Sequence, residues 1–144
     1  MDILAVSVFL RYLELCGEEC EFPDNAYQGD YVFDIAASLH RDLGEELRQP
    51  LDGITGSLPA DGDQLLDTLI LRAKTLLGKE AFTQIHDLAR DTLVIDIRKD
   101  LSQFRVTFDH WFSENTLVTG NAVARAVEKL TENGLMYELS LIHI

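Results

Sequence analysis

Two short segments of the chain group side chains that commonly take part in binding or catalysis. The first, called here the motif loop, is Tyr27-Gln28-Gly29-Asp30-Tyr31, with two aromatic rings, an amide and a carboxylate around a glycine. Sites are commonly built on loops of this kind. The same residues also suit a helix cap, in which Asp30 accepts a hydrogen bond from the first turn of the next helix. Composition alone does not choose between these interpretations.

The second segment, called here the post-strand loop, is Asp109-His110-Trp111-Phe112-Ser113-Glu114. It follows residues 104–108, which alternate strictly between apolar and polar side chains and predict a strand. Ligand sites in open α/β sheets lie at the carboxyl ends of strands, so Asp109, Trp111 and Glu114 are candidate site residues. The alternative is an aromatic plug over the core, with Glu114 solvated.

The remaining reactive residue types form no recognisable catalytic or metal-binding pattern. Cys16 and Cys20 are one helical turn apart, without a nearby histidine or a second cysteine pair at zinc-site spacing, so we expect reduced, partly buried thiols and no metal. The four histidines are scattered along the chain. The sequence has no glycine-rich phosphate loop, no Gly-x-Ser-x-Gly elbow and no zinc-protease histidine pair, which argues against a self-contained enzyme.

Composition limits the chain to one ordinary core and a limited set of partners. It has 144 residues, 47% of them hydrophobic, with 12 Lys and Arg against 25 Asp and Glu and a formal charge of −13. Such a charge gives no sequence-independent attraction to nucleic acid. The sequence lacks an uncharged apolar run of membrane-spanning length and a basic, signal-like start, so we expect no membrane partner and a cytoplasmic protein.

Helical periodicity accounts for most of the chain. Residues 3–16 form an apolar helix with one narrow polar stripe, Ser7, Arg11 and Glu14, and we expect some of its packing partners to lie outside the chain. The second predicted helix begins at Asp30 as N-cap, and Gly44 interrupts it before a polar extension to Gln49. Its buried face is predicted to be Val32, Ile35, Ala36 and Leu39.

The second half of the chain alternates breakers with further helices. Residues 50–63 are rich in Pro, Gly and Asp and predict a surface loop. Helices are predicted over 65–77, closed by Gly78, and over about 80–101. After the strand at 104–108, Asn121 can cap a last amphipathic helix that ends at Asn133-Gly134, and residues 135–137 could start another strand. Two isolated strands are marginal in water, so we expect the rest of the sheet to lie outside this chain.

Three separated stretches resemble bacterial arginine–tRNA ligases, in the order that the family has. Residues 2–14 look like the helix that follows the family's Asn-Asp-x-Gly-x-Gln stretch. Phe22-Pro23-Asp24 and the motif loop are similar to its Tyr-x-Gly-Asp-Tyr segment. Phe108-Asp109-x-Trp111-Phe112-Ser113-Glu114 is similar to its Phe-Asp-x-Trp-x-Ser-Glu segment. The resemblance covers residues 2–138, and it is weakest over 50–63.

The resemblance implies a class I synthetase with a nucleotide-binding, Rossmann-like α/β catalytic domain that carries a helical insertion. This chain would be a mostly helical internal fragment of that domain with an incomplete sheet. Residues 1–138 would be partial catalytic domain. The complete enzyme would activate arginine with ATP, accompanied by Mg, and esterify it to tRNA(Arg) as a monomer. The family's His-x-Gly-His and Lys-Met-Ser-Lys-Ser-like elements are absent from the chain. We therefore expect no catalytic residue and no activity in the fragment alone.

The resemblance also assigns one substrate-binding residue. Glu114 matches the family's Ser-Glu position, and a carboxylate suits the permanently protonated guanidinium of arginine. Residues 139–144 depart from the family's pattern, and we expect them to be a non-native tail. Two alternatives stay open: an acidic helical protein-interaction module without catalysis, and a piece of a related class I ligase.

Overall fold

The structure is a computed structural model that describes residues 1–20 and 22–136. This part of the chain contains six helices: α1 (Asp2–Leu15), α2 (Asp30–Leu43), α3 (Leu51–Thr55), α4 (Gly62–Gln103), α5 (Asn115–Thr119) and α6 (Ala122–Glu132). Two compact units share them. The first unit, residues 1–105, holds α1 to α4. The second begins at Val106 and holds α5 and α6.

Helix α1 is the centre of the first unit. Every residue from Leu4 to Leu10 is buried, and the helix packs against α2 and α4. The expectation that some of its partners lie outside the chain is therefore wrong, because α2 and α4 cover it. Each fully buried Leu, Val or Phe contributes roughly 1.5–3 kcal/mol relative to exposure. Lys74 of α4 and Asp2 also form an ion pair of 2.6 Å, which joins α4 to the first turn of α1.

Helix α2 buries the face that the 3.6-residue periodicity predicted: Val32, Ile35, Ala36 and Leu39. It ends at Leu43, and its C-cap Gly44 has a φ of 58°, in the left-handed region that glycine adopts most easily. The helical extension predicted to Gln49 is therefore wrong, because residues 44–47 form turns. The completely buried Tyr12 holds this end of α2. Its hydroxyl donates to the carbonyl oxygen of Gly44 at 2.7 Å and accepts from the N–H of Leu47 at 3.1 Å.

Residues 50–63, predicted as a surface loop, contain the short helix α3. Its Ile54 is completely buried, so this segment adds a side chain to the core. Arg72 of α4 holds it in place by donating to the carbonyl oxygens of Ile54 at 3.0 Å, of Gly56, and of Ser57 at 3.4 Å. Carbonyls at a helix end lack partners within the helix, and the guanidinium supplies them.

Gly78 divides α4 at the position where the sequence predicted that one helix closes. Its φ of 75° and ψ of 169° are not helical, although the residues on both sides continue the element. The earlier part buries Leu66, Leu69 and Ala73, and the later part buries Phe82, Ile85 and Ala89. The predicted helices over 65–77 and 80–101 are thereby confirmed as two halves of one interrupted helix.

The strand predicted over residues 104–108 is wrong. Phe104 is the C-cap of α4, Arg105 has a φ of 59°, and residues 106–108 belong to no regular element. Alternation produces a strand only where another strand supplies hydrogen bonds, and none is present among residues 1–20 and 22–136. Leu135 and Met136 are not in a strand either, and Tyr137 lies outside the described residues, as does the predicted tail 139–144.

The prediction of a mostly helical fragment is confirmed for residues 1–20 and 22–136, which contain no strand, and the predicted α/β sheet has no part within them. In the second unit, Leu117 and Ala122 are half-buried, and every other residue from 106 to 136 is exposed. The predicted apolar face of α6 is among the exposed side chains, at Val123, Val127 and Leu130.

Within the described residues, no helix combines the length and the hydropathy that crossing a membrane requires.

Candidate functional site

The motif loop is held at its first residue by the interior of α1. The backbone N–H of Tyr27 donates to the hydroxyl of Ser7 at 3.0 Å, and that hydroxyl donates to the carbonyl oxygen of Ile3 at 2.7 Å. Ser7 is completely buried. Gln28 closes the preceding turn, since its amide donates to the carbonyl oxygens of Pro23 at 3.2 Å and Asp24 at 3.3 Å. The loop thus has a defined backbone.

Gly29, and not Asp30, is the N-cap of α2, so the predicted cap position is wrong by one residue. Asp30 is the first helical residue, and no side-chain hydrogen bond caps this end. Its carboxylate still lies where the helix dipole favours negative charge. Gly29 has an ordinary extended conformation, with φ −65° and ψ 152°, so its backbone geometry does not by itself call for glycine.

The ring of Tyr31 occupies the space that a side chain at position 29 would need. A Cβ built there would lie 2.5 Å from Cε1 and 2.8 Å from Cδ1 of the Tyr31 ring. Real Cβ atoms do not approach carbon so closely, so any side chain would displace the ring. The two residues of the motif that flank Asp30 are thereby packed against each other.

The motif loop presents aromatic and acidic groups at the surface. Tyr27 is 46% exposed, Gln28 and Asp30 are exposed, and Tyr31 is half-buried. Burial raises the pKa of Tyr31, with a smaller contribution from Tyr27. These groups can stack on a planar ligand and accept or donate hydrogen bonds. The loop contains no serine, threonine or cysteine.

Sequence reasoning missed the support beneath this loop. The guanidinium of Arg11 lies 4.0 Å from the centre of the Phe22 ring, which begins the segment that leads into the loop. Glu14 holds Arg11 through an ion pair of 2.7 Å. Ser7, Arg11 and Glu14 are the predicted polar stripe of α1. The sequence signal for this support was the set of polar residues at helical spacing in an otherwise apolar helix. Their side chains contact another segment of the same chain.

The post-strand loop is exposed and its candidate residues are not enclosed. Glu114 is exposed, and it is the N-cap of α5 with its own backbone in helical geometry and no side-chain cap bond. Asp109 is exposed, and Trp111 is 39% exposed with its ring edge-on to Phe108 at 5.7 Å. Because no strand precedes it, the strand-end argument for this site is wrong. The assignment of Glu114 to a site therefore rests only on the family resemblance and on its negative charge.

The two thiols are unsuited to nucleophilic chemistry. Both cysteines are free, with Cys16 buried and Cys20 half-buried, as predicted. Burial raises the pKa of Cys20 to about 11 and also raises the pKa of Cys16, so both stay protonated near neutral pH. Among residues 1–20 and 22–136, no three His, Cys, Asp or Glu side chains are grouped to hold a metal ion.

Comparison with curated proteins gives matches across almost the whole chain. The chain is 48% identical over 144 residues to the arginine–tRNA ligase of Thioalkalivibrio sulfidiphilus, covering 96% of this chain and 25% of that protein. It is 44% identical over 150 residues to that of Hydrogenovibrio crunogenus, with the same two shares. It is 42% identical over 144 residues to that of Legionella pneumophila, covering 96% and 24%.

These matches confirm the resemblance found in the three sequence segments. The chain spans about a quarter of the length of the curated relatives it matches. No family model matches the chain. No solved structure matches it either. The link to these relatives therefore rests on sequence identity.

Proposed function

We propose that this chain is part of an arginine–tRNA ligase, whose complete form activates arginine with ATP and esterifies it to tRNA(Arg). The observation that carries this proposal is an identity of 37–48% to curated arginine–tRNA ligases from several bacteria over 95–96% of the chain. Identity at this level over more than 140 residues accompanies a common fold. The activity belongs to the complete protein, because the chain spans a quarter of those relatives.

The described residues fit the helical part of a class I catalytic domain. The Rossmann-like sheet that the resemblance implies would come from residues outside the described ones, and α1 to α4 would form a helical unit beside it. A complete ligase of this kind would be a cytoplasmic monomer. The first unit has its own core around α1, which supports its role as a coherent building block.

Glu114 is the proposed arginine-binding residue. The guanidinium presents its donors in a planar fork, and a carboxylate can accept two of them. Asp109 and Trp111 lie a few residues before Glu114 and would belong to the same subsite. In the described chain Glu114 is exposed, so the proposal requires other parts of the ligase to complete the pocket and exclude water from it. The motif loop is the second proposed contact region.

The complete ligase would require ATP and Mg. ATP is a substrate, and the family's two phosphate-handling elements are absent from this sequence. The described residues include no cluster of metal-ligating side chains, so no step through Mg is derived from them. Adenylation by the chain alone is not expected, because groups that stabilise phosphoryl charge are missing.

A segment exchange tests the proposal. Residues 1–136 would replace the aligned segment of the Thioalkalivibrio sulfidiphilus arginine–tRNA ligase, and the chimera would be assayed for arginine-dependent pyrophosphate exchange and tRNA charging. We expect both activities, and neither from the isolated chain. A matched control exchanges the same segment for a scrambled helical sequence of equal composition. A chimera that folds cooperatively but activates no arginine would contradict the proposal.

The acidic interaction module remains the second candidate, and one observation favours it. The apolar side chains Val123, Val127 and Leu130 are 43–54% exposed on one face of α6, as a docking helix would present them. The chimera separates the two candidates, since an interaction module has no reason to restore arginine activation in a synthetase.

A further inference from the structure

We propose that Ser7 and Arg11 are positioning residues for the motif loop, acting through Tyr27 and Phe22. The hydrogen bond between Tyr27 and Ser7 and the contact of Arg11 with the Phe22 ring lie within this chain, whereas the consequence for catalysis rests on the proposed function. The predicted polar stripe of α1 would then be the support on which the loop lies. Neither residue needs to touch a substrate for this role.

The hydroxyl of Ser7 determines where the motif loop begins. Ser7 is completely buried, and its oxygen both donates to the carbonyl oxygen of Ile3 and accepts from the N–H of Tyr27. The donated bond fixes the hydroxyl proton on α1, so a lone pair faces the loop. Removing the hydroxyl would leave the N–H of Tyr27 without its partner, and orphaned backbone donors are costly.

Arg11 holds the other end of the same segment. Its guanidinium lies over the Phe22 ring at 4.0 Å, within the distance at which cation–π attraction is significant. Glu14 accepts from the Nη1 atom of Arg11 through both carboxylate oxygens, at 3.0 and 2.7 Å, which fixes the guanidinium. Gln28, directly after the Tyr27 anchor, donates to the carbonyl oxygens of Pro23 and Asp24, which lie between the two anchors. The loop is therefore organised before any ligand arrives.

Preorganisation of this kind lowers the conformational cost of binding. A loop with one anchor removed samples more conformations, and only part of that population binds, so KM rises. Loss of overall stability acts differently, because it lowers the concentration of folded enzyme and therefore the apparent kcat. The split between KM and kcat separates positioning from a purely structural role.

Hydrogen exchange in the 144-residue chain tests the anchor directly. For Ser7→Ala we expect the exchange rate of the Tyr27 amide, divided by that of the Ile35 amide in α2, to rise about five- to tenfold. Tyr12→Phe is the control, since it removes a buried hydrogen bond of α1 at the other end of α2 and should not raise the ratio. Arg11→Met tests the second anchor at a half-buried position, where folding is less at risk.

Kinetics in the chimera complete the test. Ser7→Ala and Arg11→Met should raise the KM for arginine, ATP or tRNA, measured in turn, while Tyr12→Phe should lower only the apparent kcat. An unchanged exchange ratio in both variants would overturn the positioning role. A raised ratio with all three KM values unchanged would overturn its catalytic consequence. Failure of the unsubstituted chimera to charge tRNA, with the exchange ratio raised, would instead refute the proposed function alone.

Discussion

The hydroxyl of Tyr12 donates a 2.7 Å hydrogen bond to the carbonyl oxygen of Gly44, 32 positions further along the chain. The same oxygen accepts from the N–H of Leu47 at 3.1 Å. One buried side chain of α1 therefore satisfies two backbone groups just past the end of α2. This contact gives the core a directional element that apolar packing lacks.

Tyr12→Phe should lower the free energy of unfolding by about 1–2 kcal/mol, because it leaves two backbone groups without their partner. Chemical denaturation followed by circular dichroism would measure the loss. Tyr27→Phe is the matched control, since the Tyr27 side chain is 46% exposed, and it should cost less than about 0.5 kcal/mol. Equal losses in the two variants would contradict the role given to the Tyr12 hydroxyl.

Stability should fall between about pH 10 and pH 12 because of Tyr12. Burial raises its pKa from 10.0 to about 12, so in this range the unfolded chain releases the phenolic proton and the folded chain keeps it. The unfolded state then binds fewer protons, and the contribution present below pH 10 is lost as pH rises. Tyr12→Phe should flatten the stability curve in that window. Cys20, whose pKa is raised to about 11, contributes an earlier loss, which Cys20→Ser should remove.

Gly29→Ala should lower stability by about 1–3 kcal/mol, as overpacking does, because the new Cβ meets the Tyr31 ring. Gly29→Val should be worse and should impair the folding or activity of the complete ligase. In a Tyr31→Ala background the cost of Gly29→Ala should drop below about 1 kcal/mol, since the space is then free. Additive costs in this double-mutant cycle would show that another contact excludes the side chain.

Asp30→Ala should cost about 0.3–1 kcal/mol, and the cost should shrink in high salt, because Asp30 interacts with the helix dipole. Asp30→Asn should cost nearly the same. Asp61 is the contrasting control: it caps α4 by accepting from the N–H of Gln64 at 3.0 Å. Asp61→Ala should cost about 1 kcal/mol, most of which should persist in high salt because it reflects the lost hydrogen bond, and Asp61→Asn should cost much less. Full stability in Asp30→Asn would restore the capping interpretation.

Glu114→Gln, in the chimeric ligase, should weaken arginine binding by roughly 1.5–3 kcal/mol, the scale of a charged hydrogen bond, and leave ATP affinity nearly unchanged. The arginine KM in pyrophosphate exchange would measure it. Glu128→Gln on α6 is the control, with a carboxylate that is exposed in the same unit. Unchanged arginine KM and turnover in Glu114→Gln would remove Glu114 from the arginine site.

Sequence alone determined the relationship to arginine–tRNA ligases and most of the helices. The buried face of α2 and the interruption at Gly78 follow from local rules, because helical periodicity and the conformational freedom of glycine act over a few residues. The sequence also predicted that the thiol of Cys16 is at least partly buried. These features do not depend on which other part of the chain lies nearby.

Tertiary structure decided the features that involve distant partners. Nothing local shows that the hydroxyl of Ser7 faces the N–H of Tyr27, or that Ile54 in a segment rich in turn residues reaches the core. The alternation at residues 104–108 satisfied the sequence rule for a strand, but a strand forms only with a hydrogen-bonding neighbour, and the described chain supplies none. Hydrogen-bond partners twenty or more positions apart are chosen by packing of whole helices, which periodicity does not encode.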